Sequence, residues 1–164
     1  MKSELKQLDR DLLDSVIMRD IARVRELLEQ GAKVNAKDAE HQETPLMLAV
    51  KFASLEMVRL LLKIGAEVSA RDDRGRTALF HAPVSSEVFE ALLGAGADVQ
   101  ARDEEGNSIL MREVSKCASL AEVEELLRLG VDPNLRNEAG ETAFDIADSL
   151  GLVKVAERLR SGTG

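Results

Sequence analysis

Two histidines, one cysteine and a pair of adjacent serines are the residues of this chain best suited to chemistry, and their spacing sets what they can do. His41 and His81 stand far apart, and Cys117 lies further on with no second cysteine. A zinc centre needs three or four nitrogen, sulfur or oxygen ligands that converge, usually announced by short Cys/His spacings. No such spacing is present, so neither a metal nor a cofactor is expected. His81 with Ser85 or Ser86 is the arrangement nearest to a nucleophile and its base. A hydrolase built on it would also need an acidic orienter and oxyanion donors. Serine ahead of EVFEALLG is more commonly a helix cap. The run GAGADV, from Gly94, closes a helix, whereas a phosphate-binding loop must open one. Lys116 could lower the thiol pKa of Cys117, but a small residue filling a helix end explains Cys117 more simply. The chain reads as a non-enzyme, with the His81/Ser85/Ser86 hydrolase as its alternative.

The elements that would position any site are written four times over. GAKVNAKD (31–38), GAEVSARD (65–72), GADVQARD (96–103) and GVDPNLRN (130–137) echo one another. Each precedes a Thr or Ser step: ETPLMLA (43–49), RTALFHA (76–82), NSILMRE (107–113) and ETAFDIA (141–147). The leading glycines are 34, 31 and 34 residues apart. A period near 33 residues marks stacked units, none of which can bury its apolar face alone. Apolar residues at helical spacing predict helix pairs at 45–52 with 55–63, 78–82 with 86–94, 109–117 with 120–128 and 143–149 with 152–160. In the second helices Val58, Val88 and Val123 each head an apolar stripe that ends near a glycine. DLLDSVIMRD and IARVRELLEQ form an N-terminal pair closed by Gly31. The C-terminal SGTG has no apolar anchor and is expected to fray.

Two irregularities stand out. The loop from Asp38 to Thr44 holds one residue more than that from Asp72 to Thr77, and lacks a glycine. In the third unit Pro83, lacking an N–H, should end the first helix near Ala82, and Ser85 or Ser86 should cap the next. Lys37, Arg71, Arg102 and Arg136 recur at the repeat spacing and are expected to neutralise acids in the following hairpin.

The repeated motif resembles the ankyrin family, through GAKVNAKD followed by TPLMLAV and through GADVQARDEEG. The resemblance runs from residue 12 to residue 160. It implies an all-α solenoid of helix-turn-helix repeats joined by β-hairpin loops. The implied division is an N-terminal cap at 1–37, repeats at 38–71, 72–102 and 103–136, and a C-terminal cap at 137–160. The family's His is replaced by Met47, Phe80, Met111 and Asp145, and its Pro remains only at Pro45.

Composition agrees and excludes several functions. With no Trp or Tyr and four Phe, the core must be built from Leu, Ala, Val, Ile and Met. A net charge of −8 disfavours sequence-independent nucleic-acid binding and anionic membranes. Between Asp103 and Glu125 there are seven acids against two bases. That run suits a basic patch on a protein partner. It lacks the regular ladder of charge that mimicry of nucleic acid would need. A single cysteine suits a reducing compartment, and MKSELKQLDRDLL carries no apolar signal core. A cytoplasmic monomer is expected.

The family binds partner proteins across hairpin tips and first-helix surfaces. Carried over residue by residue, this implicates Ile17, Met18, Glu40, His41, Glu43, Lys51, Phe52, Asp73, Arg74, Arg76, Glu104, Glu105 and Asn107. Ile17, Met18 and Phe52 are apolar where a polar residue would serve, as interface anchors are. Phe52 could instead fold back onto Leu55. The implied function is a non-catalytic binder of a folded protein, with an inhibitor or immunity partner of an enzyme as its sharper form.

Overall fold

The computed structural model describes residues 2–161, with side chains from residue 6 onward; residues 162–164 of the SGTG tail, expected to fray, lie outside the described residues. The described chain is all-α: α1 Lys2–Ile17, α2 Ile21–Glu29, α3 Pro45–Lys51, α4 Leu55–Ile64, α5 Glu87–Gly94, α6 Ile109–Ser115, α7 Leu120–Arg128, α8 Ala143–Ser149 and α9 Val153–Ser161, with one 3₁₀ helix, η1, at Ala78–His81. It divides into two compact units. One is the chain up to Asp73 with Thr77–Ala97; the other is Arg74–Arg76 with the chain from Asp98 onward. In the first, α1 packs on α2 and α3, α3 on α4 and η1, and α5 on α4 and η1; in the second, α6 packs on α7 and α8, and α9 on α7 and α8. Leu12, Leu46, Met57, Leu61, Phe80 and Phe89 are fully buried in the first unit, and Ile109, Leu110, Val123 and Leu126 in the second.

The helices begin where the sequence supplies a cap. Thr44, Ser108 and Thr142 precede the first helices, and their hydroxyls accept from Met47 N, Met111 N and Asp145 N. The position of the family's His now has varied chemistry. The Asp145 carboxylate accepts from Thr142 N (2.8 Å) and Oγ1 (2.7 Å), closing a capping box. Met47 Sδ accepts weakly from Thr44 N at 3.4 Å. Ser119 and Glu122 make a further capping box on α7.

Every turn between the helices of a pair passes through a left-handed residue: Arg19 (φ 59), Ala53 (φ 50), Ser85 (φ 62), Cys117 (φ 60) and Gly151 (φ 68). Only the last is the glycine that this conformation favours. Gln42 (φ 56) likewise occupies the left-handed position that glycines fill in the other hairpins.

The hairpin loops pair too briefly to form strands; among the described residues there is one isolated antiparallel bridge, Arg102 with Ser108. An aspartate or asparagine organises three of the tips. Asp38 accepts from the amides of Glu40, His41 and Glu43, Asp103 from those of Glu105 and Asn107, and Asn137 from that of Glu141. Neighbouring tips are joined by main chain: Asp73 N donates to His41 O, Glu104 N to Arg74 O and Glu138 N to Glu105 O, each at 2.9 Å.

Pro83 acts as expected, holding Ala82 extended (ψ 136) and ending the first helix at His81, but that helix is a single 3₁₀ turn. Ser86 is the cap, accepting from Phe89 N at 3.1 Å, while Ser85 takes the left-handed turn. In the basic ladder, Arg136 Nη1 lies 3.9 Å from Asp145 Oδ2, an acid of the helix that follows its hairpin, and donates to Gly140 O, while Lys37 and Arg102 also reach main-chain carbonyls. Lys37 Nζ donates to Arg71 O at 2.7 Å, and Arg102 Nη2 donates to Arg136 O. These last two cations satisfy carbonyls one repeat further on, which an acid cannot do.

Candidate functional site

In the first unit, the end of α1 carries Ile17 and Met18 with 42% and 80% of their surface exposed. Arg19 Nη2 donates to Phe52 O at 2.5 Å, bringing the end of α1 beside the end of α3. Phe52, the C-cap of α3, keeps 36% of its surface exposed rather than being swallowed by the α3–α4 turn. Three large apolar side chains thus stand open where the first two helix pairs turn. Ile17 also lines a groove of about 660 Å³ between α1 and the first hairpin. Leu13 and Leu48 contribute further apolar lining, Arg10 and Lys37 cationic groups, and Glu40, His41 and Glu43 the tip.

The expected tip residues fare differently. Glu40, His41, Asp73 and Arg74 are exposed and Arg76 is half-buried. His41 Nδ1 stands 3.7 Å from Asp73 Oδ2. Glu43 is instead 98% hidden, and Lys51 Nζ bonds both its carboxylate oxygens at 2.8 and 2.9 Å. Burying a carboxylate without a partner is strongly unfavourable, so this pair ties the first hairpin to α3. His81 turns the same way: its Nε2 lies 3.3 Å from Asp72 Oδ2 and 4.0 Å from Glu43 Oε1, with 9% of the side chain exposed. His81 is largely buried, as read from the sequence, and its neighbours at Nε2 are two acids. Ser86 Oγ is engaged elsewhere, donating to Pro83 O at 2.7 Å.

In the second unit Glu104 and Glu105 are exposed, while Asn107 is partly buried. Asn107 Nδ2 donates to Asp103 Oδ2 (3.3 Å) and Glu105 Oε2 (3.1 Å), and its Oδ1 accepts from Asn137 Nδ2 (3.0 Å). Asn107 therefore braces the tip from within. Sequence reasoning passed over Arg112 and Glu113, which form a largely buried ion pair on α6. Burial first, and repulsion from Arg76, hold the Arg112 guanidinium below its ordinary range despite Glu113. Lys116 is lowered by burial and then by Arg112. Arg76, Arg112 and Lys116 thus gather positive charge beside one acid. The signal was available, since Arg112 and Lys116 stand four apart on one helix face.

No helix among the described residues is long and apolar enough to cross a membrane. A family model described as ankyrin repeats (3 copies) matches residues 15–103, and a second, ankyrin repeats (many copies), matches residues 92–147. No curated protein matches the chain.

Proposed function

We infer, from the premise that this chain belongs to the ankyrin repeat family, that it is a non-catalytic module dedicated to binding one folded protein. Ankyrin repeats are generally protein-interaction modules; which surface binds here, and what it binds, is our own reading. The observation that carries it is the open cluster of Ile17, Met18 and Phe52 beside the groove along α1. Large apolar side chains left in water at a recess rimmed by polar groups are what an interface core looks like before its partner arrives. Glu40, His41 and Asp73 would add polar contacts in the first unit, and Arg74, Arg76, Glu104 and Glu105 are proposed as contacts of the second unit in its own right. We place the repeat boundaries at residues 37, 71, 102 and 136.

A net charge of −8 and the acidic run from Asp103 favour a partner with a basic patch. An enzyme inhibited or neutralised by occlusion of its active site is the partner class we favour. We expect the free protein to be a monomer in a reducing, cytoplasmic setting. The test is affinity capture from the native host with the full chain, in parallel with a Met18→Ala/Phe52→Ala variant. One abundant protein retained by the first and lost by the second supports the reading. Equal retention by both would remove the apolar cluster from the interface. Turnover of simple esters, abolished by His81→Ala, would overturn the non-catalytic assignment in favour of the hydrolase.

A further inference from the structure

We propose that Glu43, Asp72 and His81 form a site for a divalent metal ion of the zinc class. The three residues come from separate stretches: the first hairpin, the second hairpin and η1. One ligand atom from each lies within 4.8 Å of the others. An ion held at zinc–nitrogen and zinc–oxygen lengths near 2.1 Å in a tetrahedral array sets its ligand atoms about 3.4 Å apart. His81 Nε2 and Asp72 Oδ2 already stand at 3.3 Å, and His81 Nε2 and Glu43 Oε1 at 4.0 Å. Ion binding requires Glu43 to move the rest of the way toward the other two ligands.

The chemistry of the donors fits as well. One imidazole with two carboxylates is a set found around zinc, leaving the fourth position to water. A carboxylate has acceptor capacity for several partners, so Asp72 Oδ2 can ligate while its other oxygen is used elsewhere. The side chains of Asp72, Glu43 and His81 are 0%, 3% and 9% exposed. A desolvated site strengthens a divalent ion's hold on anionic ligands.

Lys51 is the device that makes this site distinctive. Its ammonium bonds both Glu43 oxygens, while 41% of its side chain remains in solvent. It therefore competes with the ion for Glu43, and can swing outward when the ion enters.

The experiment titrates zinc chloride into the full chain by calorimetry, with cobalt(II) absorption as a second probe. One ion per chain is expected, with the visible bands of tetrahedral cobalt. His81→Ala should weaken binding by more than the ten- to hundredfold that even an outer-shell partner commands. Lys51→Met should tighten it, by removing the competing cation. Circular dichroism establishes that each variant is folded, and Glu43→Gln replaces His81→Ala should the latter unfold. Absence of binding to the full chain, binding indifferent to His81 and Glu43 (which would put the ion on the exposed His41–Asp73 pair), or no gain from Lys51→Met would each overturn the proposal.

Discussion

At the scale of residues, one backbone conformation recurs with different side chains, which makes it a measurable comparison. Arg19, Ala53, Ser85, Cys117 and Gly151 are all left-handed at equivalent turns, and a Cβ there is disfavoured by about 1–2 kcal/mol. Ala53→Gly should therefore raise stability by up to about 1 kcal/mol, after the extra freedom of glycine in the unfolded chain is set against the relief. Gly151→Ala should lower it by a similar amount; chemical denaturation reads both, and opposite signs are the expected result. Asp145 supplies a pH-dependent counterpart. Amide and hydroxyl bonds from Thr142, its first causes, hold its carboxyl below the ordinary range. A carboxyl depressed in the folded state contributes stability that is full above its unfolded value near ~4 and is lost as pH falls through the folded value. The melting temperatures of the protein and of Asp145→Asn should therefore converge as pH falls below about 4. Little of this was written locally in the sequence. The left-handed turns hide behind ordinary residues, and the companions of His81 lie in two other hairpins, where no linear spacing points.

At the scale of elements, the sequence spoke clearly wherever caps and periodicity coincide. The second helices were legible because Val58, Val88 and Val123 fall on one stripe, and all three are buried. Pro83 located the end of the third unit's first helix, yet the 3₁₀ geometry of η1 was not legible, since a shortened connection tightens a helix without changing its apolar pattern. Poorer hydrogen-bond geometry motivates the expectation that residues 77–86 exchange amide hydrogens faster than residues 45–52, read by mass spectrometry. Equal protection would mean that η1 is held by its packing on α3 and α5. Pro83 is not the source of weakness. It follows an extended Ala82, and its carbonyl accepts from Ser86 N and Oγ, so Pro83→Ala should lower stability slightly by loosening the unfolded chain. A glycine at a tip behaves oppositely to Ala53. A Cβ on Gly75 (φ 72) would sit 2.9 Å from Glu104 N, so Gly75→Ala should destabilise by more than the conformational term of about 1 kcal/mol.

At the scale of the whole molecule, the repeat period made the fold class plain from the sequence, because four copies of one pattern outweigh any local ambiguity. What stayed hidden is that the described chain gathers into two compact units. Circular dichroism should report helix without appreciable sheet, and light scattering should give a mass near the 17.9 kDa of one chain. A dimer persisting at every dilution would contradict the monomer proposed above. With a charge of −8, association with a basic partner should slow as rising salt shortens the Debye length below about 10 Å, measured by stopped flow; a salt-independent rate would remove electrostatic steering from the account. The bonds between neighbouring hairpin tips have one more implication. Asp73 to His41, Glu104 to Arg74 and Glu138 to Glu105 are made by amide and carbonyl alone. Mutation of the exposed side chains at those positions leaves the donors and acceptors in place. Selection can therefore rewrite the tips as a partner drifts, and the architecture need not change with them.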